Sequence, residues 1–173
     1  VAGFENMAKV EAAIGAAGDP VRRLGALATS IAEQAELLWQ KLRLTNAEHA
    51  RLAAMAEAWR RLAPTQDEAA ARALLYRLGS QKFTDAALLA WARSPATAHD
   101  EAWHRLATLP ARWSAPVFPL KAADFIKRGV EKGPALGAAL AAAEAAWIAA
   151  GFPSEPIALE KIADASAMPP DQK

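Results

Sequence analysis

The stretch "DFIKRGVEKGPALGAALAAAEAAW" (residues 124–147) carries two apolar segments of helical period with an interruption between them. Gly129, Gly133, Pro134 and Gly137 make the interruption. Each glycine costs a helix interior roughly 1 kcal/mol relative to alanine, and an interior proline about 3. At helix ends the same residues are favourable. Gly129 follows Lys127 and Arg128, cations in a last helical turn, and suits the C′ position where positive φ is needed. Gly133-Pro134 suits the N-cap and first residue of a following helix. Leu136, Leu140, Ala143 and Trp147 then share one helical face. The stretch predicts a helix-turn-helix hairpin over 121–149.

The same punctuation runs through the rest of the chain. Asp19-Pro20 reads as N-cap and first helical residue. Thr45 with Glu48, and Thr65 with Glu68, match the capping box. Thr84-Asp85 and Thr97 to Asp100 read as further starts, and Gly79 and Gly151 as further stops. Leu52, Met55, Trp59 and Leu62 form another helical stripe. Helices are expected near 4–17, 20–42 (with a break near Thr29-Ser30), 46–62, 66–78, 84–93, 98–109, 121–128, 134–149 and 155–165. The class is all-α, an irregular multi-helix bundle of about eight or nine helices. A helical body (1–109), a proline-rich connector (110–120), a hairpin and tail packed on the body (121–165) and a flexible end (166–173) are expected to make one compact unit. No repeat of solenoid length is evident.

The chain has 173 residues, 53% of them apolar and 23% charged, enough for a substantial core. Its formal net charge is +1, so any nucleic-acid surface is a local patch and not the whole chain. It has no cysteine, which excludes disulfides, thiol catalysis and Cys-based zinc sites and suits a reducing cytoplasm. No signal peptide or membrane span is read. Val1, in place of an initiator methionine, points to a piece of something longer.

Residue constellations for catalysis are missing. His49, His99 and His104 are scattered, and a spacing of five does not bring the last two onto one helical face; they read as exposed histidines, with no metal site. No nucleophile elbow, phosphate loop, dinucleotide fingerprint or Asp-x-Asp pair is present. Trp39, Trp59, Trp91, Trp103 and Trp147 come about one per helix and read as core anchors. Base stacking is the other use of such residues. Trp113, in the connector, stays open. Most basic pairs read as solvated faces or helix ends.

The segment 121–137 differs. Lys121, Lys127, Arg128 and Lys132 lead into a turn whose amides open a helix, an arrangement that holds phosphate. Gly129, Gly133 and Gly137 leave the backbone uncovered there. The alternative is that the glycines let two helices cross closely.

These residues resemble the C-terminal region of bacterial CCA-adding enzymes, the tRNA nucleotidyltransferase and poly(A) polymerase family. The match is Asp124, Phe125-Ile126, Gly129, Val130, Gly133-Pro134, Leu136 and Gly137. "LRLTNAEHARL" (42–52) and "DPVRRLGAL" (19–27) are similar to two further family segments in the same order. Ala122 departs from a glycine that relatives often carry. The resemblance implies a helical body and tail that grips the tRNA acceptor and TΨC arm through its phosphate backbone, with Lys121, Lys127, Arg128, Gly129, Lys132, Gly133 and Gly137 as contacts. The family's catalytic head, which uses Mg²⁺ with CTP and ATP, has no counterpart in these residues. The resemblance therefore implies no catalytic or metal-binding residue and no cofactor in this chain, with that head as partner. The choice among CCA, CC, A or poly(A) addition stays open, as does the oligomeric state. A different class, a helical interaction or oligomerisation domain using Leu136 to Trp147, is the alternative.

Overall fold

Residues 2–29, 31–65 and 67–168 are described by a computed structural model. Among them there are eleven α-helices and no strand. They are α1 (Ala2–Ala13), α2 (Pro20–Ala28), α3 (Ala32–Leu42), α4 (Asn46–Ala58), α5 (Glu68–Leu78), α6 (Ser80–Arg93), α7 (Glu101–Ala107), α8 (Leu109–Arg112), α9 (Ala122–Ile126), α10 (Pro134–Ala149) and α11 (Pro156–Ala167), with a 3₁₀ turn at Trp59–Arg61. The chain divides into two units, Val1–Ala115 and Pro116–Lys173, and the division falls inside the proline-rich stretch.

In the first unit α6 is the central helix, packed by α1, α2, α4, α5 and α7. Phe83 and every side chain from Asp85 to Ala92 are buried, as the unbroken apolar run 86–92 requires. Trp91 and Trp103 stack in this core with ring centroids 6.5 Å apart. Trp59 and Trp113 pack at its margin. Trp39 departs from the expected role of core anchor: it is half-buried, lies outside both apolar clusters and stacks on His49.

The second unit has its own apolar cluster. Phe125, Ala139, Ala143 and Ala163 are its buried centre, with Leu136 and Leu140 against it. Trp147 is buried between Phe118 and Phe152, at centroid distances of 5.4 and 5.0 Å. Its indole N–H donates to the Pro153 carbonyl at 2.8 Å, which fastens the end of α10 to the chain that follows. The stripe read from the sequence is thus the inner face of α10.

Caps explain most boundaries, and also the departures from them. Asp19 accepts from the Arg22 amide at 3.0 Å. Thr45 and Glu48 form the reciprocal capping box, each accepting from the other's amide. Such caps contribute about 1 kcal/mol each. The Thr65–Glu68 box does not form: Asp67 caps α5 through the Ala69 amide, and Gln66 lies outside the described residues. Thr84-Asp85 does not start a helix. α6 begins at Ser80, directly after Gly79 closes α5, and Asp85 is an interior residue. The 20–42 segment is two helices, α2 ending at Ala28 with Thr29 as its C-cap, and Ser30 lies outside the described residues. α1 occupies 2–13 in place of 4–17, and α7 starts at Glu101, where Asp100 caps it, in place of 98. The connector contains α8, and Ser166 and Ala167 close α11. Residues 169–173 of the expected flexible end lie outside the described residues.

Arg43 ends α3 at φ 53°, in the left-handed region, and the Leu44 amide donates to the Trp39 carbonyl at 3.3 Å. A side-chain-bearing residue adopts that conformation at a cost of roughly 1–2 kcal/mol.

Candidate nucleic-acid interface

The turn between α9 and α10 is built from two glycine conformations. Gly129 has φ 86°; its amide donates to the Ile126 carbonyl at 3.0 Å and the Val130 amide to Phe125 at 3.1 Å. These two bonds are the Schellman pattern, with Gly129 at C′. Gly133 caps α10 at φ 122° and ψ −147°, a region essentially reserved for glycine, and Pro134 follows as the first helical residue. At the other end, the Lys121 amide donates to the Asp124 carboxylate at 2.8 Å, and Ala122 opens α9 as an ordinary helical residue.

Close helix crossing does not account for the glycines. A Cβ built on Gly129, Gly133 or Gly137 meets no heavy atom within 4 Å. All three are exposed. Positive φ explains the first two; Gly137 has neither positive φ nor a crowding neighbour. Its amide donates to the Gly133 carbonyl at 3.2 Å, closing the first turn of α10. The amides of Ala135 and Leu136 precede the first possible intrahelical acceptors, so the helix offers them no partner.

Lys121, Lys127 and Lys132 are exposed around this turn, with Glu131 also exposed among them. Arg128, the fourth expected cation, is held differently from the lysines. Its Nε donates to Asp164 of α11 at 2.6 Å and its terminal nitrogen to the Asp124 carbonyl at 2.9 Å. It is half-buried and clasps α9 to α11, so its guanidinium is engaged inside the unit. What the segment brings together is three exposed lysines, an uncapped helix start and three bare glycines.

The other two resemblance segments meet in the first unit, in a charge network that sequence reading did not find. Arg22 donates through Nε to Glu11 at 2.8 Å, and its terminal nitrogens reach the Ala17 carbonyl at 2.8 Å and Asp85 at 3.4 Å. Arg51 holds both Asp85 oxygens, at 2.7 and 3.0 Å, and Asp19 at 2.9 Å. Arg23 adds a bond to Glu11 at 3.0 Å, and Gln81 one to Asp85 at 3.0 Å. Glu11 is 1% and Asp85 0% exposed. Burial raises the Asp19 carboxyl, but the Arg22 amide and Arg51 guanidinium outweigh it and hold it below its ordinary value. The Asp85 hydrogen bond, opposed by burial and aided by Asp19, drives Arg51 further toward its charged form. Three carboxylates and three guanidiniums join α1, α2, α4 and α6, and this balance is what permits burial of the charges. The signal available in sequence was the excess of acids and arginines at positions that helical period places inward, Glu11 and Asp85 above all.

Among the described residues, no three His, Asp or Glu side chains are placed to hold a metal ion. His99 and His104 are exposed but line one depression of about 510 Å³ with Glu101 and Arg105, because His99 precedes α7 and the helical spacing argument does not apply to it. His49 is half-buried, stacked on Trp39 and 3.2 Å from Glu36. Among the described residues, no helix is long and apolar enough to cross a membrane. The chain matches no protein-family model and no curated protein sequence.

Proposed function

We propose that this chain is the RNA-binding helical part of a tRNA nucleotidyltransferase or poly(A) polymerase-like enzyme, gripping the tRNA acceptor and TΨC arm by its phosphates. One observation supports this above the rest. The Gly129–Gly137 turn is left uncovered, with no neighbour where helix crossing would need one, and it carries Lys121, Lys127 and Lys132 beside an uncapped helix start. Helix amides and lysines around a bare backbone suit phosphate, which they contact without reading base sequence. In this reading the catalytic head with its Mg²⁺, CTP and ATP is a partner, and the setting is cytoplasmic. The competing interaction-domain reading relied on Leu136 to Trp147, and that face is taken up by the unit's own core.

Binding of tRNA by wild type and by Lys127→Ala/Lys132→Ala, measured across a salt series, tests the reading. Removing two phosphate contacts lowers the slope of log K against log salt by about 1.4–1.8. Unchanged affinity and slope in the double variant would take the turn out of the RNA surface. Nucleotide incorporation by this chain alone, given tRNA, CTP, ATP and Mg²⁺, would contradict the assignment of catalysis elsewhere.

A further inference from the structure

The end of α3 combines three features that packing leaves unexplained. Arg43 holds a left-handed backbone conformation, yet it is exposed and its side chain makes no hydrogen bond or ion pair among the described residues. In the same unit the positive-φ positions after α1 and α5 are filled by Gly15 and Gly79, whereas this one carries a guanidinium where glycine would serve the backbone better. One turn back, Trp39 lies outside both apolar clusters. Its indole is stacked on His49, centroids 4.6 Å apart and planes 14° from parallel. A Glu36 carboxylate oxygen lies 3.2 Å from the imidazole Nε2. Lys41 is exposed in the same last turn.

We infer that Trp39, His49 and Arg43 form a contact site for an unpaired nucleotide of a nucleic-acid strand, in the first unit and separate from the 129–137 turn. The chemistry follows from the parts. A planar, partly exposed indole backed by a second ring is a stacking platform that accepts any base. Arg43, with no carboxylate to satisfy it, supplies a forked donor for the adjoining phosphate. Left-handed backbone strain at an exposed arginine fits a residue whose side chain serves binding and not packing. The cation also lies at a helix C-terminus, where it would favour the dipole whether or not a ligand binds. The two roles make opposite forecasts for one substitution.

Arg43→Gly relieves the backbone, so its thermal midpoint equals or exceeds that of wild type, while affinity for a single-stranded oligoadenylate falls about fivefold or more. Titration with the oligoadenylate quenches tryptophan emission, and Trp39→Phe removes most of that quench. Both effects persist in the Lys127→Ala/Lys132→Ala background, which separates this site from the turn. The inference is overturned if Arg43→Gly lowers stability and leaves binding intact, since the arginine then serves only the helix end. It is also overturned if inorganic polyphosphate, which has no base, quenches equally, or if the Arg43 effect disappears in the double-lysine background.

Discussion

Asp85 accepts from Arg51, Arg22 and Gln81 with no access to solvent, and Asp19 shares Arg51 from a less buried position. The folded Asp19 carboxyl titrates below its unfolded value of about 3.9, so its contribution is present above that pH and is lost as pH falls through the folded value. Asp19→Asn keeps a competent N-cap and removes the charge. The variant should be about 1 kcal/mol less stable than wild type at neutral pH, and the gap should close as pH falls below the ordinary carboxylate range. Urea unfolding at several pH values measures it; a gap constant with pH would mean that the loss is not ionic. The position also shows what sequence hides. Thr84-Asp85 has the composition of a helix start, and only two arginines brought in from α2 and α4 and the apolar run around it make it an interior anchor. Arg128 likewise resembled a surface cation until Asp164, in α11, was placed beside it.

Helices were legible where their ends are decided locally. Asp19-Pro20, Thr45 with Glu48 and Gly129 each satisfy backbone groups within a few residues, Gly133-Pro134 sets the backbone angles of its own helix start, and each boundary formed as expected. The Gly129–Gly137 cluster was legible as a hairpin for the same reason. Its exposure was not, because an empty neighbourhood is a property of the packed unit and leaves no mark in sequence. Two substitutions with opposite signs follow. Gly133→Ala meets no steric neighbour, so its cost is backbone strain alone, about 1–3 kcal/mol. Gly137→Ala stands on a helical backbone in open space and should stabilise the second unit by about 0.5–1 kcal/mol. Thermal unfolding of the two variants compares them. A destabilising Gly137→Ala would mean that the glycine relieves a constraint on α10 which its open surroundings do not show.

At the scale of the molecule, the chain holds two apolar clusters, one in each unit. The residues between α8 and α9 are without helix or strand, and Val117 among them is 89% exposed. Brief digestion with thermolysin should therefore cut beside Val117 before cutting within either unit, yielding two fragments of which each resists further digestion. Early loss of either fragment would show that the unit does not keep its fold without the other. The Pro116 and Pro119 pair made this stretch legible as a connector.

α1 packs on α6, and the Asn6 side-chain amide donates to the Ala92 carbonyl, eighty-six residues later in the chain, at 3.2 Å. A helix made first thus finds its seat only after the central helix has been made. At synthesis rates of roughly 5–20 residues per second, that interval is about 4–17 s. Through those seconds Met7 and Val10 have no α6 to cover them, and Glu11 has no neutralised partner network beyond Arg22 and Arg23. The second unit has the opposite timing, since α9, α10 and α11 contact their near neighbours in order and can close as they emerge. The nascent first unit, more than the finished protein, is where a chaperone would find something to hold.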